Sequence, residues 1–172
     1  MQELEIESIR VRQETQQRAV VLRVKDSNLF LPIFVGHFEV EAIRLKLMDI
    51  EVQRPMTHDL LDSIIENLGA SVDKIVVSEL KEDTFYAKII VNCDGKISEI
   101  DARPSDAIAL AVRTGASIFA EESVLEKAGV NIDEKDLIQS EEETVLEDEG
   151  VNLSVFSDFI DSLDLEDLGE SR

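Results

Sequence analysis

Cysteine is almost missing from this chain: among 172 residues there is one, Cys93. A lone thiol forms no internal disulfide, and with no cysteine–histidine cluster there is no thiolate zinc site. A reducing compartment, the cytoplasm, is therefore expected. Long apolar runs are also missing, so no segment reaches membrane-spanning length, and the opening "MQELEIESIR" is too acidic and too alternating for a signal or transit peptide. Histidine is reduced to two, His37 and His58, and the sequence holds no HExxH, Walker A, Gly-x-Gly-x-x-Gly or EF-hand pattern. Positive charge is scarce, with 17 Lys/Arg against 38 Asp/Glu and a net charge of −21. The shortage is uneven: residues 1–130 carry 15 against 23, and residues 131–172 carry 2 against 15. A surface this acidic repels nucleic acid at long range, because phosphate binding draws on Lys and Arg.

What is present reads as one domain over residues 1–130, an acidic linker over 131–150 and an acidic amphipathic helix over 151–172, with Phe156, Phe159, Ile160 and Leu163 on one face. In the domain, "LEIESIRVRQ" and "RAVVLRVK" alternate like half-buried strands, and "LFLPIFVG" reads as a third strand whose Pro32 places it at an edge or a bulge. "HFEVEAIRLKLMDI" spaces Phe38, Ala42 and Leu45 as the inner face of a helix, and a second helix follows "QRPMTHDL". The second half repeats the plan. "VDKIVVSEL", "TFYAKIIVN" and "ISEIDA" are strand-like, the Asp94-Gly95 pair suits a type I′ hairpin, and helices follow at "ARPSDAIALAVRTGA" and "EESVLEKAG". The class is α+β, antiparallel meanders with helices packed on them and a possible internal pseudo-repeat.

Two helices thus open on Arg-Pro, a hydroxyl and Asp. Thr57 and Ser105 are candidate N-caps, and Asp59 and Asp106 in the first turn gain roughly 0.3–1 kcal/mol from the helix dipole. Capping does not account for Arg54 and Arg103, which the following proline holds in extended backbone, nor for Asp101. Two arrangements are open: an anion site at the helix N-termini, or cross-pairs of Arg54 with Asp106 and Arg103 with Asp59 that lock the halves together. His58, between Thr57 and Asp59, carries an imidazole, a side-chain type suited to acid or base work near neutrality, and Glu39 adds a carboxylate. If Arg44, Lys46, Arg54, Arg103 and Arg113 gather on one face, a local basic strip survives the acidic total.

The runs "VGHFEVEAI", "RPMTHDLL", "IDARPSDAIALAVR" and "SIFAEESVLEKAG" resemble, in order and distance, the bifunctional nuclease domain family over roughly residues 15–130. The matching positions are Gly36, Glu39, Ala42, Arg54, Pro55, Thr57, His58, Asp59, Asp101, Arg103, Pro104, Ser105 and Asp106, with Val40 where the family usually has Ala. The resemblance implies an α+β homo-oligomer, a dimer being favoured, that cleaves DNA and RNA. A metal-assisted route would then use Asp59, Asp101, Asp106 and Glu39 as ligands for Mg²⁺ or Mn²⁺. Asp59, Asp106, His58, Arg54 and Arg103 are the expected catalytic set, with Thr57 and Ser105 on the substrate. The alternative is a non-enzymatic regulatory or assembly module in which the motif pair is salt-bridged or binds an anion.

Overall fold

The computed structural model describes residues 1–11 and 17–131. The chain divides into two units, Met1–Gly129 and Val130–Arg172. In the first, strands β1 (Gln2–Val11), β2 (Arg18–Val24) and β3 (Leu29–Val35) form an antiparallel meander and lead into helices α1 (His37–Leu47) and α2 (Thr57–Asn67). A second meander, β4 (Ala70–Lys81), β5 (Thr84–Cys93) and β6 (Lys96–Ala102), leads into α3 (Pro104–Thr114), β7 (Ser117–Ala120) and α4 (Glu122–Ala128). These strands lie side by side in the order β6-β5-β4-β7-β1-β2-β3. β7 runs parallel to β4 and antiparallel to β1, so the two meanders extend outward from a shared central strand. The α+β class read from the sequence is the class observed, and the repeated plan along the chain is repeated in space.

Of the second unit, the described residues are Val130–Asn131, a two-residue strand, β8. The rest of the expected linker and the expected helix over 151–172 lie outside the described residues, as do Arg12 and Gln13 at the end of the first predicted strand.

Turn chemistry explains the tight hairpins. Asp94 and Gly95 have φ of 51° and 81°, the two left-handed positions a type I′ turn demands. Glu82 and Asp83 do the same between β4 and β5 at 49° and 55°, without a glycine to announce it. β2 departs from the expected alternation, because Ala19, Val20, Val21 and Leu22 are buried in succession. It lies inside the sheet between β1 and β3, with α1 packed on it.

Helix α3 is the centre of the helical layer. Ala107, Ile108, Ala109, Leu110 and Ala111 are all buried, and the helix packs on α1, α2, β4, β5 and β7. Its alanines let neighbouring backbones approach, while Ile108 and Leu110 fill the core with Ile43, Ile75 and Val77. Helix α1 corrects its predicted face: Val40, Ala42 and Ile43 point inward, and Phe38 is 82% exposed. In α2 His58 is the sole buried residue, so a helix rich in Leu and Ile lies on the unit's surface.

Candidate functional site

The first turns of α1, α2 and α3 meet because α3 packs against both of the other helices. Pro104 occupies the first position of α3, so the cap is Arg103, in the extended backbone that precedes a proline (φ −69°, ψ 144°). Helix α2 likewise begins at Thr57 behind the cap residue Met56, whose N–H donates to Asp59 Oδ2 at 2.8 Å. Thr57 and Ser105 are therefore not the N-caps that their hydroxyls suggested. They are already inside the helices, Thr57 exposed and Ser105 buried.

From its cap position Arg103 folds over the first turn of α3. Its Nε donates to Asp106 Oδ2 at 2.7 Å and its Nη2 to Asp106 Oδ1 at 3.1 Å, while Nη1 lies 2.9 Å from Glu39 Oε1 on α1. Gly36 makes this possible: a Cβ there would collide with the Glu39 carboxylate, which bends back over the cap of α1. On the other side of Asp106, His58 Nε2 lies 3.1 Å from Oδ1. Burial pushes the Asp106 carboxyl up, but Arg103 and His58 outweigh it and hold it below the ordinary range. An ionised carboxylate only accepts, so Nε2 carries the proton and Nδ1 is the basic nitrogen of the neutral ring.

Asp59 is claimed by a residue that the motifs did not single out. Arg113, in the last turn of α3 and with a side chain only 4% exposed, donates from Nε to Asp59 Oδ1 at 2.5 Å, from Nη1 to Ala109 O at 2.8 Å and from Nη2 to Ala42 O at 3.1 Å. One guanidinium thus ties α1, α2 and α3 together. Burial again acts to raise Asp59, and the Met56 N–H and Arg113 together bring it below the usual carboxylate range. Once α3 is seen to be buried along most of its length, an arginine in its last turn must find an acceptor inside.

The structure therefore brings together Glu39, His58, Arg103 and Asp106, and leaves Asp59 in a separate ion pair with Arg113, with pairings other than those expected. Arg54 does not bridge to Asp106, nor Arg103 to Asp59. Arg54 is exposed and makes no hydrogen bond or ion pair among the described residues. Asp101 is exposed on β6, in register with Lys88 and without a bond to the cluster. The four carboxylates expected to hold Mg²⁺ or Mn²⁺ do not fit that task as arranged: Arg103 takes up Asp106 and Glu39, Arg113 takes up Asp59, and Asp101 stands apart. Among the described residues no three His, Cys, Asp or Glu form a group able to hold a metal ion. The basic strip is likewise thinned, since Arg44 pairs with Glu41 at 2.7 Å and Arg103 and Arg113 are engaged within the cluster. Beside Asp59 an open cleft of about 380 Å³ is lined by Lys46, Ile50, Val52, Pro55 and Ser63.

These residues lie within the stretch, 20–133, that matches the model of the bifunctional nuclease domain family, and the chain belongs to that family. An uncharacterized protein of Mycobacterium tuberculosis strain H37Rv is 41% identical over 170 residues, covering 97% of this chain and 98% of that protein. More distant relatives are Bifunctional nuclease 1 of Arabidopsis thaliana, 28% identical over 55% of this chain and 30% of its own length, and Bifunctional nuclease 2 of rice, Oryza sativa subsp. japonica, 27% identical over 66% and 36%. Among the described residues no helix is long and apolar enough to cross a membrane.

Proposed function

We propose that this chain is a nuclease that hydrolyses phosphodiester bonds of DNA and RNA, working in the cytoplasm at the junction of α1, α2 and α3. Family membership supports the reaction class. The geometric observation that carries the site is the chain Arg103–Asp106–His58, in which an exposed guanidinium and a buried imidazole share one carboxylate. Arg103 is 65% exposed, so it can exchange Glu39 for a phosphate oxygen and offset the negative charge carried by the non-bridging oxygens. Asp106 holds the His58 ring with Nδ1 basic, and that nitrogen takes a proton from the attacking water or from a ribose 2′-hydroxyl. The leaving oxygen is protonated from solvent. Phe38, exposed beside Glu39 on α1, offers a face on which an unpaired base can stack.

The test is cleavage of labelled single-stranded DNA and RNA by the purified chain, in Mg²⁺, in Mn²⁺ and in EDTA, beside His58→Ala, Arg103→Ala and the remote control Lys127→Ala. Removing a general base or a phosphate clamp should cost roughly 10²–10⁴-fold in rate, with Lys127→Ala unchanged. Equal cleavage by His58→Ala and Arg103→Ala would reject the site.

A second reading is favoured by one observation: three of the five basic residues that would have formed a nucleic-acid strip are spent on carboxylates. In that reading the cluster is a lock between helices, and the chain is a regulatory or assembly module. Absence of cleavage by well-folded protein under every metal condition would select it.

A further inference from the structure

Asp106 leaves one corner of the Arg103 guanidinium open, and a second carboxylate of the same chain stands on it. Nε and Nη2 are committed to the two oxygens of Asp106 at 2.7 and 3.1 Å, and the remaining nitrogen, Nη1, lies 2.9 Å from Glu39 Oε1. The two acids are held unequally. Asp106 takes two bonds from Arg103 and meets His58 Nε2 at 3.1 Å, whereas the Nη1 contact is the one ion pair of Glu39 among the described residues. Glu39 also has a resting place without Arg103. It belongs to the first turn of α1, where the helix dipole favours a negative charge, and its side chain curls back into space that exists because Gly36 has no Cβ.

We propose that Glu39 is a built-in competitor of the substrate, a carboxylate that occupies the open corner of Arg103 until a phosphate oxygen takes its place. That role rests on Arg103 being the phosphate clamp proposed above, and on nothing in the chemistry that follows. Because Nε and Nη2 are spent on Asp106, a phosphate reaches the guanidinium through Nη1, and there it must displace Glu39. The displacement is local: Glu39 stays over the start of α1 and Asp106 keeps both its bonds, so the clamp is never without a counter-charge. With one guanidinium facing two carboxylates, the resting site carries an excess of negative charge. An anion that does not bond Nη1 directly is repelled, and the clamp discriminates against loosely placed phosphates.

Fluorescence anisotropy of a labelled, non-cleaved single-stranded oligonucleotide, in EDTA so that no metal bridges carboxylate and phosphate, compares the full chain with two variants. Glu39→Gln keeps the size of the side chain and removes its charge. Gly36→Ala keeps the charge but places a Cβ against the far end of the Glu39 side chain, pushing the carboxylate off its seat, and the extended backbone at Gly36 (φ −66°, ψ 160°) accepts alanine. Both should bind more tightly than wild type, by roughly two- to fivefold, the worth of a partly exposed ion pair. In an Arg103→Ala background Glu39→Gln should change affinity by less than about twofold, as an ordinary surface substitution does, because the competitor then has nothing to withhold. Affinity unchanged or weakened in either variant, or a gain that survives Arg103→Ala, would overturn the proposal. Cleavage by the wild type is read separately: a chain that cleaves nothing yet shows these gains rejects the nuclease and keeps the competitor, and one that cleaves but shows no gain does the reverse.

Discussion

Replacing Arg113 by alanine tests the central structural claim, that one buried guanidinium holds three helices together. The side chain is almost wholly enclosed and gives up three bonds on removal, to Asp59 on α2, Ala42 O on α1 and Ala109 O within α3. Removing one member of a buried ion pair costs on the order of 3–5 kcal/mol. Here the cost is reduced, because Asp59 is 29% exposed and keeps the Met56 N–H at 2.8 Å. The expected destabilisation is about 2–4 kcal/mol, with the lost packing of the arginine stem included. Urea unfolding measures it as a fall in midpoint at constant slope. Arg113→Lys should fall between, since an ammonium keeps the charge but cannot reach three acceptors in one plane. The decisive arm is the cycle with Asp59→Asn, in which a direct contact gives a coupling of about 1–3 kcal/mol. A loss below about 0.5 kcal/mol for Arg113→Ala, within the range of an ordinary surface substitution, would refute the claim, as would strict additivity with Asp59→Asn.

Two further outcomes follow from the same geometry. Asp59 and Asp106 are both held below the ordinary carboxylate range, so their contribution is complete above the unfolded value, near pH 4, and is lost as pH falls through their lower folded values. Urea midpoints taken from pH 6 down to pH 2 should therefore drop in the wild type below about pH 4, and Asp59→Asn should show a shallower drop; an equally steep acid limb in the variant would show that Asp59 contributes no such linkage. Phe38→Ala should weaken binding of single-stranded oligonucleotide by the equivalent of about 1–3 kcal/mol, with Phe38→Trp retaining affinity; fluorescence anisotropy on non-cleaved substrate reads this, and unchanged affinity in Phe38→Ala removes the stacking role.

The sequence was most legible where one local rule decides. Period-2 alternation and the Asp94-Gly95 pair located both meanders, and Arg-Pro located the starts of two helices to within a residue or two. It was least legible where the answer depends on which helix lies beside which. Phe38 has the spacing of a core residue, yet α1 packs through Val40, Ala42 and Ile43 because its inner face must fit against α3. The ionic partners failed for the same reason. Asp59, Asp106, His58 and Arg103 could all be named in advance as chemically able, but pairing them requires the relative rotation of α2 and α3, which no nearby residue encodes. Arg113 was visible only as one more basic residue until its helix proved to be buried along most of its length.

The two motifs share a spelling but not a fate, and the difference is one of spacing. In the second, Arg103 caps its helix and Asp106 follows three residues later, so the guanidinium falls back on its own carboxylate. In the first, Met56 and His58 widen the interval, the cap passes to Met56, and Asp59 is satisfied by the Met56 N–H and by Arg113 arriving from α3. Arg54, two residues ahead of the cap, is left with nothing to hold. Had the repeated motif served folding alone, both arginines would be expected to end in internal pairs, since an exposed and unpartnered arginine adds nothing to the native state. A paired Arg103 that can exchange Glu39 for a phosphate, and an unpaired Arg54 ahead of α2, instead divide the work. In the proposed nuclease the second motif meets the substrate, while the first sets the start of α2 and ties it to α3 through Asp59 and Arg113.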